Sequence, residues 1–383
     1  MNMNEKNLIN VLITGANGFI GKNLCIALEE MKGISVQAFT RHHTLEELEQ
    51  FLDKADVIYH LAGVNRVKDS EMEFVQGNVE LTKKMTEVLQ KLNRKPTIVM
   101  SSTTQATNNT PYGKSKKTAE EILEKYAQET KADNVFIYRL TNVFGKWGKP
   151  NYNSVVATFC YNIARGLGIE VHDPLKELEL VYIDDVVKEF KNHIIRLNQE
   201  SGQIINQVAP TYKITLQKLA DQIYEFRNMR HHLTMADLSN PFTKALYSTY
   251  LSYLEQNDFA YDLDMKKDHR GSLVEILKSE HLGQIFISTS HQGVMRGNHY
   301  HHTKVEKFCV IKGKANIKLR HILSDEVISY VVAGDKIRIV DIPPGYTHSL
   351  ENIGESELIV LFWANEIFDP DRPDTYFEEV ENE

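Results

Sequence analysis

The sequence has 383 residues, 42% of them hydrophobic and 25% charged, which is long enough for two hydrophobic cores and ordinary for a soluble globular protein. A formal net charge of −8 argues against a broad nucleic-acid-binding surface. Cys25, Cys160 and Cys309 are too few and too scattered for a disulfide framework and favour a reducing cytoplasm; the first residues carry no signal-peptide pattern, and no apolar run is long enough to span or insert in a membrane.

In chain order, short β-branched runs at 11–13, 35–39, 56–61, 97–101 and 134–140 predict strands, and amphipathic stretches at 19–31, 44–53, 71–92 and 113–130 predict helices between them. That alternation calls for a parallel sheet with helices on both faces. Residues 151–245 read as mostly helical, with one strand-like run at 178–183. From about 255 the pattern changes to short strands, at 271–277, 283–289, 307–313, 315–322, 327–332, 336–342 and 357–363, the pattern of a sandwich or barrel. The join falls near 245–260, where the apolar LYSTYLSYL (246–254) predicts an ordered segment.

The first motif is VLITGANGFIGKNL (11–24), a strand, a glycine turn and a helix start. Gly15, Gly18 and Gly21, with Asn17, Phe19 and Ile20 between them, suit close approach of a dinucleotide pyrophosphate to a helix N-terminus. The second strand ends in VQAFTRHH, with Arg41 where an NAD enzyme usually carries an acid. A guanidinium there fits a 2′-phosphate and predicts NADPH.

Tyr112 and Lys116, in YGKSK, stand one helical turn apart. An ammonium beside a phenol favours the phenolate and lets the tyrosine move a proton to or from a carbonyl oxygen. The preceding strand ends in MSSTTQAT, whose Ser102 and Thr103 hydroxyls are both placed to bond the same oxygen.

These residues resemble the extended short-chain dehydrogenase/reductase family, which acts on nucleotide sugars. The resemblance runs from about residue 10 to 245 through DVIYHLAG, the SSTT strand end, PYGKSK, YRLTNVFG and YIDDVV. It implies a Rossmann-fold α/β domain at 1–250. It also implies a cofactor lined by Leu61, Ala62 and Gly63 and touched by Tyr112 and Lys116, a substrate facing Val64, Asn65 and Asn142, and Tyr112 as the catalytic acid. The serine of the family pattern aligns with Thr103, which leaves the hydroxyl's role divided between Thr103 and Ser102.

The third motif is GVMRGNHYHHTKVEKFCVIKG, from Gly293 to Gly313, followed by PPGYTHSLEN. His299 and His301 alternate along a predicted strand and so share a face. Glu306 follows five residues on, and His348 stands after a Pro-Gly turn. Three imidazoles and one carboxylate suit a divalent transition metal, whether zinc, manganese, iron or nickel. His302 and Lys304 are expected to point elsewhere. The two stretches resemble the paired motifs of the cupin family over about 260–373, which implies an all-β jelly-roll barrel at 251–383 and prefers zinc. DHRGSLVEI and VMRGNHY also resemble metal-independent deoxyketohexose epimerases, in which the histidine aligned with His299 is a free base.

Together the two domains resemble bifunctional capsular polysaccharide enzymes of the CapF type, nearly end to end, through AGVNR (62–66), FGKWGKPNYNSV (144–155), LYSTYLSYL, GNHYHHTK and FDPDRPDTYF (368–377). That resemblance implies a cytoplasmic homodimer acting on a UDP-linked 4-keto-6-deoxy-N-acetylhexosamine. C3 epimerisation in the barrel would precede NADPH-dependent C4 reduction. The product would be UDP-2-acetamido-2,6-dideoxy-L-talose, a precursor of UDP-N-acetyl-L-fucosamine. The alternative is a reductase whose barrel only dimerises or binds sugar.

Overall fold

The computed structural model describes residues 8–66, 71–197 and 204–381. The extreme N-terminal residues read above for a leader lie outside that range. Packing divides the chain into two units, Met1–Tyr224 with Ala245–Glu255, and Glu225–Lys244 with Gln256–Glu383.

In the first unit the strands are β1 (Ile9–Thr14), β2 (Ile34–Phe39), β3 (Val57–His60), β4 (Thr97–Thr103), β5 (Val135–Leu140), β6 (Asn142–Phe144), β7 (Glu177–Tyr182), β8 (Ile205–Asn206) and β9 (Tyr212–Thr215). The main sheet has the order β2-β1-β3-β4-β5-β8 and is parallel throughout. Its central strands are apolar on both faces because helices cover both. Val11, Ile13, Tyr59 and Val99 pack on one side, and Leu12, Ile58, Ile98 and Met100 on the other. Each fully buried Leu, Ile or Val stabilises the fold by roughly 1.5–3 kcal/mol. The order reverses between β1 and β3, so the crevice at the carboxyl ends of those strands is the natural ligand site. Strands β6, β7 and β9 form a small separate sheet.

The segment read as ordered is a helix, Pro241–Leu251, whose Leu246 and Tyr250 are buried along with Tyr253 just beyond it. The apolar spacing of LYSTYLSYL is therefore core packing of the first unit.

In the second unit the strands are β10 (Met265–Asp268), β11 (Gly271–Ser279), β12 (Gly283–Ser290), β13 (Met295–Tyr300), β14 (Glu306–Lys312), β15 (Lys314–His321), β16 (Val327–Ala333), β17 (Ile339–Ile342), β18 (Tyr346–Asn352), β19 (Leu358–Ala364) and β20 (Tyr376–Phe377). They form two antiparallel sheets, β10-β11-β12-β19-β14-β17 and β16-β15-β18-β13-β20, in jelly-roll fashion. Alternation sends Glu306, Phe308 and Val310 of β14 inward, so Cys309 faces away from the Glu306 side. Phe308, Ile317, Leu350, Val360 and Phe362 build the core below the site.

Candidate active site and metal centre

At the end of β1 the chain turns through Gly15 with φ +71°. A Cβ there would lie 2.6 Å from the Ala62 nitrogen, so only glycine lets the two loops meet. The Ala62 amide donates to the Thr14 hydroxyl at 3.2 Å, and the Leu61 amide donates to the Thr14 carbonyl at 3.2 Å. Leu61, Ala62 and Gly63 thus close over the glycine turn. The helix that follows, Phe19–Glu29, has Gly18 at its N-cap, no side-chain cap and no acid in its first turn. Its N-terminal amides are open to an anion, which fits a dinucleotide pyrophosphate. Arg41 is exposed just beyond β2, whose Phe39 carbonyl accepts from the Gly15 amide at 3.1 Å.

Thr110 caps the helix Pro111–Thr130, accepting from the Gly113 amide at 3.0 Å, and this sets Tyr112 in the first turn. Tyr112 is half-buried, with its ring 5.6 Å from that of Phe74. Burial pushes its phenol up, and a hydrogen bond from Thr103 opposes that rise. Lys116 is buried, and its ammonium donates to the Ser101 carbonyl at 2.7 Å. Burial lowers Lys116 to about 8, with the Glu120 charge opposing the fall.

The two hydroxyls left open by sequence part company. Thr103 lies beside Tyr112 and accepts from the Gln105 amide at 3.2 Å, whereas Ser102 donates to Glu120 at 2.5 Å. Glu120 is fully buried and takes both arms of Arg139, at 3.0 and 2.6 Å. Ser102 therefore belongs to a buried ion pair that anchors the end of β4.

Asn78 is a residue the sequence reading missed. It is buried in a π-helical stretch, Val75–Glu80, between Met72–Phe74 and Leu81–Lys91. Its side chain accepts from the Val64 amide at 2.8 Å and donates to the Val64 carbonyl and the Ser115 hydroxyl at 2.9 Å each. It thereby ties the 61–66 loop to the Tyr112 helix. Asn65 and Asn142 are both exposed, and Asn142 donates to the Glu179 carbonyl at 3.1 Å.

His60 is buried between the hydroxyls of Thr14, at 2.9 Å, and Thr82, at 2.8 Å. Burial, aided by the Lys116 charge, lowers it to about 3. The unfolded imidazole protonates near 6.5, so the stability contributed by neutral His60 is complete above that pH and lost as the pH falls toward 3. Between pH 7 and 5 the first unit should lose about 2 kcal/mol that a His60→Asn variant does not lose. Urea unfolding read through Trp147 fluorescence, in a Trp363→Phe background, measures this. Equal losses in both proteins would contradict it.

In the second unit His299 of β13 pairs in register with His348 of β18. Gly297, at φ +102°, allows the approach, since a Cβ there would meet the His348 carbonyl at 2.5 Å. The Glu306 carboxylate lies 3.2 Å from His301 Nε2 and 3.4 Å from His348 Nε2. One ligand atom from each of His299, His301, Glu306 and His348 falls within 4.8 Å of all the others. Burial lowers His299, and lowers His348 to about 4. Burial would raise Glu306, but its contacts with His301, His348 and His299 hold it below the usual carboxylate range. Neutral imidazoles beside an ionised carboxylate are the protonation states a divalent ion requires.

Asp374, a second residue missed by sequence, organises this cluster. Its carbonyl lies 2.5 Å from His301 Nδ1. A carbonyl only accepts, so Nδ1 carries the proton and Nε2 presents its lone pair toward Glu306. The Asp374 carboxylate accepts from the His302, Thr303 and Lys304 amides at 3.0, 2.9 and 2.9 Å, which fixes the loop between His301 and Glu306.

A cavity of about 450 Å³ opens on the cluster, with His299, His301, Glu306, Arg270 and Arg296 in its wall. Lys304 is in that wall too, contrary to expectation, because its ammonium is drawn to the Pro373 carbonyl at 2.7 Å. His302 packs outside, its ring 4.7 Å from Tyr376.

Residues 11–206 match the NAD dependent epimerase/dehydratase family, and residues 266–376 match the polysaccharide biosynthesis C-terminal domain. The chain is 46% identical over 366 residues to a UDP-2-acetamido-2,6-beta-L-arabino-hexul-4-ose reductase of Pseudomonas aeruginosa, with 96% of this chain and 97% of that protein covered. It is 28% identical over 117 residues to the spore coat polysaccharide biosynthesis protein SpsL of Bacillus subtilis, covering 28% of this chain and 78% of that one. The solved structure of the capsular polysaccharide assembling protein CapF from Staphylococcus aureus superposes with a TM-score of 0.89 at 47% identity, over 97% of this chain and 100% of that one.

Proposed function

Because the chain belongs to the NAD-dependent epimerase/dehydratase family, in the group that includes CapF and the Pseudomonas reductase, we propose that it is a bifunctional nucleotide-sugar enzyme. Its substrate is a UDP-linked 4-keto-6-deoxy-N-acetylhexosamine, epimerised at C3 in the barrel and then reduced at C4 in the first unit. The product is UDP-2-acetamido-2,6-dideoxy-L-talose, which leads to UDP-N-acetyl-L-fucosamine and capsule or O-antigen. The relative's hexul-4-ose carries its ketone at C4, where the reductase step needs it. What carries the reading is that one chain places Tyr112 and Lys116 on one helix with Lys116 close to the loop over the glycine turn, and also has a cavity walled by three of four convergent side chains that could ligate a metal.

In the barrel, the C4 ketone makes the C3 hydrogen acidic, and epimerisation is its removal and return on the opposite face. His299, His301, Glu306 and His348 would hold one divalent ion, zinc by family resemblance. That ion would supply positive charge against the negative charge that develops as the proton leaves. Reduction comes last, because losing the ketone ends the acidity.

In the first unit NADPH would supply the hydride. Thr103, beside Tyr112, would bond the same ketone oxygen. Tyr112 gives its proton to that oxygen as negative charge develops there. Lys116 keeps a cation beside the phenol and is held in place by Ser101. The free thiols and the family likeness favour a cytoplasmic homodimer, which light scattering would test.

The test is to mix enzyme, the UDP-4-keto sugar and NADPH. One NADPH should be oxidised per sugar, with C4 reduced and C3 inverted in the product. No NADPH oxidation would overturn the reading. Arg41→Ala should raise the KM for NADPH by roughly tenfold and leave that for NADH nearly unchanged, since only NADPH offers a 2′-phosphate to the guanidinium. Equal changes for both cofactors would remove Arg41 from that role.

A further inference from the structure

Arg66, at the end of AGVNR (62–66), and Lys149, in KWGKPNY (146–152), have no role assigned above, and the fold brings them together on Tyr152. An Arg66 Nη1–H donates to the Tyr152 carbonyl at 2.5 Å. The Arg66 guanidinium carbon lies 5.9 Å from the centroid of the Tyr152 ring, and Lys149 Nζ lies 4.9 Å from the same centroid. Two cations thus share one aromatic platform, and among the described residues no carboxylate pairs with either. Ring faces attract cations, but two like charges gathered at one ring repel each other. An anion between them relieves that repulsion.

Both arms of the cluster are built. Gly63 lies against Asn78 and Lys116, and Val64 is held to Asn78 through both its amide and its carbonyl. Arg66 comes two residues later, so its Cα lies within about 7 Å of that of Val64, near the Tyr112–Lys116 site. On the other arm, the Tyr253 hydroxyl donates to the Gly148 carbonyl at 2.7 Å, and the Asn151 amide donates to the Thr158 hydroxyl at 3.0 Å. Lys146 pairs with Asp184, and among the described residues no carboxylate pairs with Lys149.

We infer that Arg66 and Lys149, set on Tyr152, bind the diphosphate of the nucleoside diphosphate sugar whose ketone faces Tyr112. This rests on the reductase reading above. The cofactor's pyrophosphate already has its place at the glycine turn, so a second cationic site in this unit calls for a second anion. A guanidinium matches phosphate oxygens two at a time, and an ammonium serves as a point charge beside it.

The test uses the full chain carrying Arg66→Gln, Lys149→Gln and both together, with Arg66→Lys as the conservative control. Each single change should raise the KM for the UDP-keto sugar roughly tenfold and the double change on the order of 10²-fold, with partial recovery in Arg66→Lys. The kcat and the KM for NADPH should stay within about twofold. UDP alone serves as a probe by calorimetry, where the double variant should lose one binding event present in the wild type. An unchanged KM with an unchanged UDP isotherm would overturn the inference, and so would a KM for NADPH rising in step. Wild-type enzyme that reduces no keto sugar would sink the reductase reading, and the UDP isotherm would still decide whether these cations hold a diphosphate.

Discussion

Tyr112→Phe is expected to lower C4 reduction on the order of 10²-fold or more while C3 exchange continues at its wild-type rate. The substitution removes one hydroxyl and keeps the ring, so the packing against Phe74 at 5.6 Å survives. It takes away the proton donor and leaves Lys116 held by Ser101 at 2.7 Å. The glycine turn and the Leu61–Gly63 loop are untouched, so the KM for NADPH should be unchanged. The loss should therefore fall on kcat. Single-turnover NADPH oxidation and NMR of C3 in the same samples separate the two activities. Loss of both in a folded variant would mean that one site serves both steps.

His348→Ala carries the second large effect. His348 is 1% exposed, and its ring packs 4.5 Å from that of His299 and 5.5 Å from that of Phe308. Truncation removes one of four proposed metal ligands and opens a void, at a cost on the order of 2 kcal/mol or more before any ion is considered. An ion that binds only the folded barrel adds stability in proportion to the logarithm of its concentration over its Kd, and the variant should lose most of that as well. Metal content should fall from about one ion per chain to well below that. The barrel's Tm should drop, and added metal should raise the wild-type Tm but not the variant's. C3 exchange should fall, while NADPH binding in the other unit persists. Wild-type protein that carries no metal, with activity and Tm indifferent to chelation, would make His299 the free base of the metal-independent epimerases.

The parallel sheet was legible because its strands are buried on both faces and so read as apolar runs, as in β1 and β4. The glycine turn was legible because its spacing is a steric demand. Strands β13 and β18, MRGNHY and YTHSLEN, show no hydrophobic run, since the faces they turn inward carry histidines in place of aliphatic side chains. Their function hides their structure, and only the motif spacing revealed them. The strand expected at 336–342 is confined to Ile339–Ile342. Asn78 and Asp374 were illegible for another reason. Each is a single polar residue whose partners lie 14 or more positions away in sequence, so nothing local marks it. The choice between Ser102 and Thr103 likewise depended on Glu120 and Arg139, a buried ion pair that no local spacing announces.

The two proposed steps occupy separate sites, the barrel and the first unit. The most direct measurement incubates the wild-type enzyme with the UDP-4-keto sugar in D₂O without NADPH and follows C3 by NMR. Deuterium should enter C3 at a rate that Tyr112→Phe does not change and His348→Ala reduces. No deuterium at C3 until NADPH is added would contradict the account, and would leave the barrel as a module that binds sugar or joins subunits.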